Sequence, residues 1–153
     1  MKIMDILAQD AVVLELDSTT KQGVLEEMSS ALARAVPELD AARLLQVLTE
    51  REALQSTGIG EGVAIPHGKM PGLDRLVASF ARSVRGVDFQ SIAGQTTQLF
   101  FLLVVPEHSG GQHLKALARI SRFFRDAAFR QKLAEATTLE DVFRAIEEED
   151  AKF

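Results

Sequence analysis

Hydrophobic positions recur along the chain with two periods, one helical and one extended. The apolar residues of segment 11–16 predict a strand, and Asp17, Ser18 and Thr19 after it are candidate helix caps. Val24, Leu25, Met28, Leu32 and Ala35 then return every three or four positions, which predicts a helix ended by Pro37. Asp40 is placed to cap a second helix, carrying Leu44, Leu45, Val47 and Leu48 and closing near Arg51. Three strands are predicted next, at 63–66, 76–84 and 98–105. The last is apolar on both faces, as a central strand covered by helices on each side would be. Pro106 stops it. Ser109 and Gln112 have the spacing of a capping box for a helix running to about Phe124, with a break near Asp126. Phe129 and Leu133 predict a short helix, and Thr137 or Thr138 a cap for a terminal one bearing Leu139, Val142, Phe143 and Ile146. The acidic residues 147–150 read as its solvated end.

This order, a strand, two helices, three strands and then helices, predicts an α+β fold with helix layers around a mixed sheet. With 153 residues, 46% of them hydrophobic, the chain is expected to form a single domain over 1–153. The longest apolar run, 99–105, is far below the roughly 20 residues of a membrane helix, and the amino terminus lacks a secretory pattern. A cytoplasmic protein without membrane insertion is expected. The absence of cysteine excludes disulfides, thiolate catalysis and sulfur-ligated zinc. A net charge of -5 argues against nonspecific nucleic-acid binding, which needs an excess of Lys and Arg.

Chemistry concentrates in residues 56–69. Val63, Ile65 and His67 share one side of a strand by its period of two, so His67, between Pro66 and Gly68, is expected to leave the sheet at the strand's carboxyl end. Gly58, Gly60 and Gly62 are read as allowing close backbone approach to a partner. His113 falls in the first turn of the helix after Pro106, where the dipole and free N–H groups favour an anion; it either donates to a phosphate or covers the helix start. Arg51 extends the stripe of Val47 and Leu48 inward, as a fork for phosphate or carboxylate or as a cation offsetting the helix dipole. His108 lies in a polar loop and is expected to be solvent-exposed.

The run Arg51-Glu-Ala-Leu-Gln-Ser-Thr-Gly-Ile-Gly-Glu-Gly-Val-Ala-Ile-Pro-His-Gly-Lys69 resembles the active-site signature of the IIA components of the phosphoenolpyruvate-dependent sugar phosphotransferase system. The similarity is to the fructose and mannitol class, especially its nitrogen-regulatory branch. The resemblance implies a three-layer α/β/α sandwich around a mixed β-sheet. It implies that His67 accepts a phosphoryl group, with Nε2 as the suggested atom, that His113 hydrogen-bonds that group, and that Arg51 stabilises its charge. It also implies a histidine phosphocarrier protein as donor, a downstream regulatory target or a separate IIB unit as recipient, and no cofactor. Because these 153 residues hold no cysteine, a IIB-type acceptor is expected to lie on another protein. Ser56 and Thr57 are weaker candidates, as phosphate ligands or as loop hydroxyls that satisfy the backbone. Lys69 is read as steering an acidic partner or as simply solvated. A metal site on His67 and His113 would lack a third ligand.

Overall fold

A central strand that is apolar on both faces needs cover on both sides, and the flanking helices supply it. The computed structural model describes residues 1–91 and 94–153. Its elements run α1 (Ile3–Ile6), a 3-10 turn (Gln9–Ala11), α2 (Lys21–Ala35), α3 (Ala41–Leu54), β1 (Gly58–Gly60), β2 (Val63–Ala64), β3 (His67–Met70), β4 (Val77–Val87), β5 (Thr97–Pro106), α4 (Gln112–Arg125), α5 (Ala127–Glu135) and α6 (Leu139–Asp150). In the sheet, β5 pairs in parallel with β2 and β3 and antiparallel with β4, so the sheet is mixed as expected.

Alternation along β5 sorts the core into two halves. Phe100, Leu102 and Val104 pack with Val24, Met28, Leu32, Leu44 and Leu48 of α2 and α3. Leu99, Phe101, Leu103 and Val105 face Ile120, Phe123, Phe129, Leu133 and Ile146 of α4, α5 and α6. This is the three-layer arrangement. The second half is rich in aromatic contacts: Phe123 and Phe129 meet edge to face with ring centroids 5.6 Å apart, and Phe101 and Phe124 do so at 5.9 Å. Such pairs add roughly 0.5–1.5 kcal/mol beyond burial.

The structure corrects the amino-terminal reading. Residues 11–16 form no regular strand. The chain meets β4 at isolated bridges, Leu7 with Ala78 and Val13 with Ala81, spending six residues where β4 spends three. The 3-10 turn takes up the slack, so the segment cannot keep a ladder register. Around Val13 it hydrogen-bonds locally, through Val13 N–H to the Phe80 carbonyl at 2.9 Å and Arg82 N–H to the Val13 carbonyl at 3.1 Å. The cap of α2 is Thr20, whose hydroxyl oxygen accepts the Gly23 N–H at 3.0 Å; Ser18 instead donates its N–H and hydroxyl to Glu27. Asp40 caps α3 as expected, although the helix runs on to Leu54, and Thr138 caps α6 in a box with Asp141.

Of the four carboxyl-terminal acids, Glu147 and Glu148 are solvated as expected, but the last two are not. Glu149 and Asp150 are buried because α6 presents Val142, Ala145, Ile146 and Glu149 on one face. Asp150 accepts the N–H groups of Ile3 at 2.8 Å and Met4 at 3.0 Å, which anchors the four-residue α1, and pairs with Arg119 at 3.0 Å. Helix α1 escaped the hydrophobic pattern because four residues carry too little period to see. Among the described residues, no helix is long and apolar enough to cross a membrane.

Candidate functional site

His67 does not end a strand. Val63 pairs with Leu99, Ala64 with Phe100, His67 with Leu103 and Gly68 with Val104, a constant offset that makes β2 and β3 two halves of one strand broken at Ile65 and Pro66. Pro66 has no N–H to donate, though its carbonyl still accepts the Leu103 N–H at 3.0 Å. Ile65 sends its N–H away from β5, to the Thr57 carbonyl at 3.0 Å. Its own carbonyl accepts from the His67 ring, with Nδ1 2.8 Å away. A carbonyl can only accept, so Nδ1 carries the proton and the lone pair of the neutral ring lies on Nε2. The residues expected to point the histidine out of the sheet thus hold its ring in a fixed orientation within an edge strand.

Glycines here serve the fold. Gly68 lies under α3, where an added Cβ would come within 2.5 Å of Val47 Cγ1, so only glycine lets the helix approach the histidine's strand. Gly60 and Gly62 take left-handed φ values of 89° and 75° in the turn between β1 and β2. At Gly58 an added Cβ would come within 2.9 Å of Ser91 of the same chain.

The three principal candidates share one cleft of about 660 Å³ between α3, β3 and α4, lined by Arg51, His67, Lys69 and His113. Arg51 does not enter the core. It continues the line of Val47 at the cleft wall, half-buried, and its Nη1 donates to the Gln55 carbonyl at 2.9 Å, covering an otherwise open helix end. His113 sits in the first turn of α4, as expected, but the capping box is absent: the cap is Gly111, with no side-chain bond, and Ser109 Oγ lies 3.3 Å from His113 Nδ1. When the hydroxyl donates to Nδ1, the ring's proton resides on Nε2. Helix α4 therefore begins at the cleft with uncapped N–H groups and a positive dipole end. Burial holds the His67 imidazole below the ordinary histidine value, opposed by its bond to Ile65 and assisted by the charges of Arg51 and His113. The ring is neutral, and so nucleophilic, at neutral pH.

Ser56 and Thr57 line a neighbouring depression that also reaches Arg51 and His67. Their hydroxyls are engaged within the protein: Ser56 Oγ donates to the Phe89 carbonyl at 2.9 Å and Thr57 Oγ1 donates to Glu52. Glu52 is the residue that sequence reasoning passed over. Its signal was the step of four from Leu44 to Leu48, which one more step carries onto a carboxylate in the buried stripe of α3. His108 is exposed in the loop before α4. Among the described residues no three His, Cys, Asp or Glu side chains converge as metal ligands.

Residues 5–149 match the family described as phosphoenolpyruvate-dependent sugar phosphotransferase system, EIIA 2. The chain is 39% identical over 146 residues to the nitrogen regulatory protein of Bradyrhizobium diazoefficiens, covering 95% of each. It is 34% identical over 150 residues to the fructose-specific EIIABC component of Bacillus subtilis, a match that takes in 98% of this chain and 24% of that one. Its fold superposes on the nitrogen regulatory protein IIA-Ntr of Neisseria meningitidis with a TM-score of 0.88 and 33% identity, over 94% of this chain and 98% of that chain. A family match across nearly the whole chain, with relatives above 30% identity on each side of the comparison, means that the chain belongs to the EIIA 2 family of the phosphoenolpyruvate-dependent sugar phosphotransferase system.

Proposed function

We infer that His67 is the phosphoryl acceptor and that the protein relays phosphate from a histidine phosphocarrier protein in a regulatory, nitrogen-branch role. The observation that carries this reading is the bond from His67 Nδ1 to the Ile65 carbonyl, which leaves Nε2 as the nucleophile in a cleft shared with Arg51 and His113. In the transfer, the N–P bond of the donor's phosphohistidine breaks as the Nε2–P bond of His67 forms, and the donor ring recovers its lone pair. Little covalent help is needed beyond in-line positioning and neutralisation of the equatorial oxygens. Arg51 supplies a planar charged fork, His113 a ring N–H, and the start of α4 free backbone donors. Leu54 and Leu114, 83% and 63% exposed at the cleft rim, give a docking protein apolar contacts around the histidine. The regulatory role is taken from the nitrogen regulatory relatives.

The test is incubation with phosphoenolpyruvate, the first enzyme of the relay and its carrier protein, followed by intact mass measurement. Wild type gains one acid-labile phosphate and His67→Ala gains none; equal gain by the variant would overturn the assignment. His113→Ala retains carrier binding and transfers more slowly. A sugar-transport role is the second reading, favoured by the similarity to a fructose-specific component. It requires that the phosphoryl group pass onward to the cysteine of a separate IIB protein, which the same assay detects with IIB added.

A further inference from the structure

The last turn of α3 sends two neighbouring side chains in opposite directions. Arg51 follows Val47 to the cleft, while Glu52 follows Leu44 and Leu48 into the core, where its side chain is 4% exposed. A carboxylate at that depth is stable only when it is paired and hydrogen-bonded. Glu52 is both. Lys21 reaches across from α2 to place Nζ 2.9 Å from Oε1, and the same ammonium lies 4.8 Å from the centre of the Phe89 ring. The Thr57 N–H donates to both carboxylate oxygens, at 3.1 and 3.2 Å, and the Thr57 hydroxyl donates to Oε2.

From Thr57 the bonds lead to the imidazole without a gap. The Thr57 carbonyl accepts the Ile65 N–H at 3.0 Å, and the Ile65 carbonyl holds His67 Nδ1 at 2.8 Å. Pro66 stiffens the link between those last two residues. Hydrophobic packing alone does not ask for a charge at position 52, since an apolar side chain of similar volume is often as stable in such a place. What the carboxylate adds is direction: it orients a peptide that carries the strand next to the nucleophile.

We propose that Glu52, clamped by Lys21, is a positioning residue for His67: through the Thr57 and Ile65 peptides it keeps the imidazole in the tautomer and orientation that presents Nε2 to the incoming phosphoryl group. The proposal rests on His67 being the acceptor. It assigns Glu52 no contact with the phosphate.

Long-range nitrogen–proton NMR of the His67 ring, read beside single-turnover transfer from phosphorylated carrier, tests it. Wild type shows the Nδ1–H tautomer. Glu52→Gln, which preserves shape and loses the charge that orders Thr57 and Lys21, shows a mixture of tautomers and a transfer rate lower by about 10- to 100-fold, with carrier affinity unchanged. Lys21→Met keeps the aliphatic stem and shifts both readouts in the same direction. Thr57→Val loses the hydroxyl bond and shifts them too, whereas Thr57→Ser retains both bonds and behaves as wild type. If Glu52→Gln fails to fold, Lys21→Met and the Thr57 pair carry the test. An unchanged tautomer with an unchanged rate in the folded variants overturns the proposal. If wild-type His67 takes up no phosphate while its tautomer still responds to Glu52→Gln, the acceptor assignment fails and the positioning contact stands.

Discussion

The cleft and the carboxyl-terminal cluster both gather charged side chains, yet they treat charge in opposite ways. In the cluster the charges are paired within the protein, although Arg119 Nε and Glu149 Oε2 stay buried without a hydrogen bond. Asp150 takes the α1 N–H groups and Arg119, and Lys152 bridges Asp126 at 2.9 Å and Glu149 at 3.2 Å. The Lys152 ammonium holds the Asp126 carboxyl well below the usual carboxylate range, while burial pushes the Glu149 carboxyl up. In the cleft, Arg51, Lys69 and His113 line the wall with a single carboxylate among them, Glu50, which already accepts from Gln46 at 3.2 Å. Matched charges hold chain segments together, whereas the excess of positive charge in the cleft suits the proposed encounter with a group that carries negative charge.

The strongest way to break this contrast is to remove Asp150. Asp150→Ala strands the half-buried Arg119 guanidinium and two N–H groups of α1, and the stability read by urea unfolding is expected to fall by about 3 kcal/mol. Transfer by the protein that remains folded should be unchanged; a parallel loss of transfer would show that the cluster is wired to the site. Arg51→Lys is the converse. It keeps the charge and loses the fork, so stability should move by less than about 0.5 kcal/mol. The transfer rate should drop roughly 10- to 100-fold, the equivalent of one charge-assisted hydrogen bond of about 1.5–3 kcal/mol. Normal kinetics would remove Arg51 from the phosphate contacts.

Proton uptake separates the two regions more gently. The His67 value lies below the ordinary 6.5, chiefly because burial penalises the imidazolium. The unfolded chain therefore binds a proton first as pH falls, and His67 erodes stability only between 6.5 and its lower folded value, contributing nothing above that window. Transfer should persist below pH 6.5 and fail with an acid limb displaced beneath it. Subtracting the stability–pH curve of His67→Ala from that of wild type isolates this component. A limb at or above 6.5 would contradict the depressed value.

Which parts of this were legible in the sequence follows from which forces leave a period. Helices α2, α3, α4 and α6 bury stripes that recur every three or four residues, and β5 declares itself by being apolar throughout. The half-strands around Pro66 did not, because a register shared with β5 is a long-range fact and the proline looked like a terminus. Local propensity also misled at the caps. Ser109 has the capping-box spacing, but its hydroxyl lies beside His113, and Gly111 starts the helix. The buried acids Glu52, Glu149 and Asp150 were the most costly omissions. Glu52 and Glu149 extend their helices' buried stripes, but a stripe traced through apolar residues alone passes over the first and leaves the second in a solvated end. Arg51 and His67, by contrast, stand out in one motif and His113 by its place at the start of a helix, and the fold brings all three to one cleft.

The smallest expected effect lies at Lys69, and it sets the boundary between chemistry and encounter. Lys69 is two residues beyond His67 on β3, exposed at the cleft rim, and forms no ion pair among the described residues. A mobile ammonium there cannot offer the fixed donors of Arg51, but it adds positive potential to the path of a phosphorylated partner. Lys69→Ala should therefore slow association by about two- to fivefold at low salt and leave the single-turnover rate at saturating carrier unchanged. The deficit should shrink as ionic strength rises, since at 0.15 M charges separated by more than roughly 8 Å are largely screened. A salt-independent loss in the saturated rate would place Lys69 with Arg51 among the groups that touch the phosphoryl oxygens, because direct contacts at short range survive screening whereas steering does not.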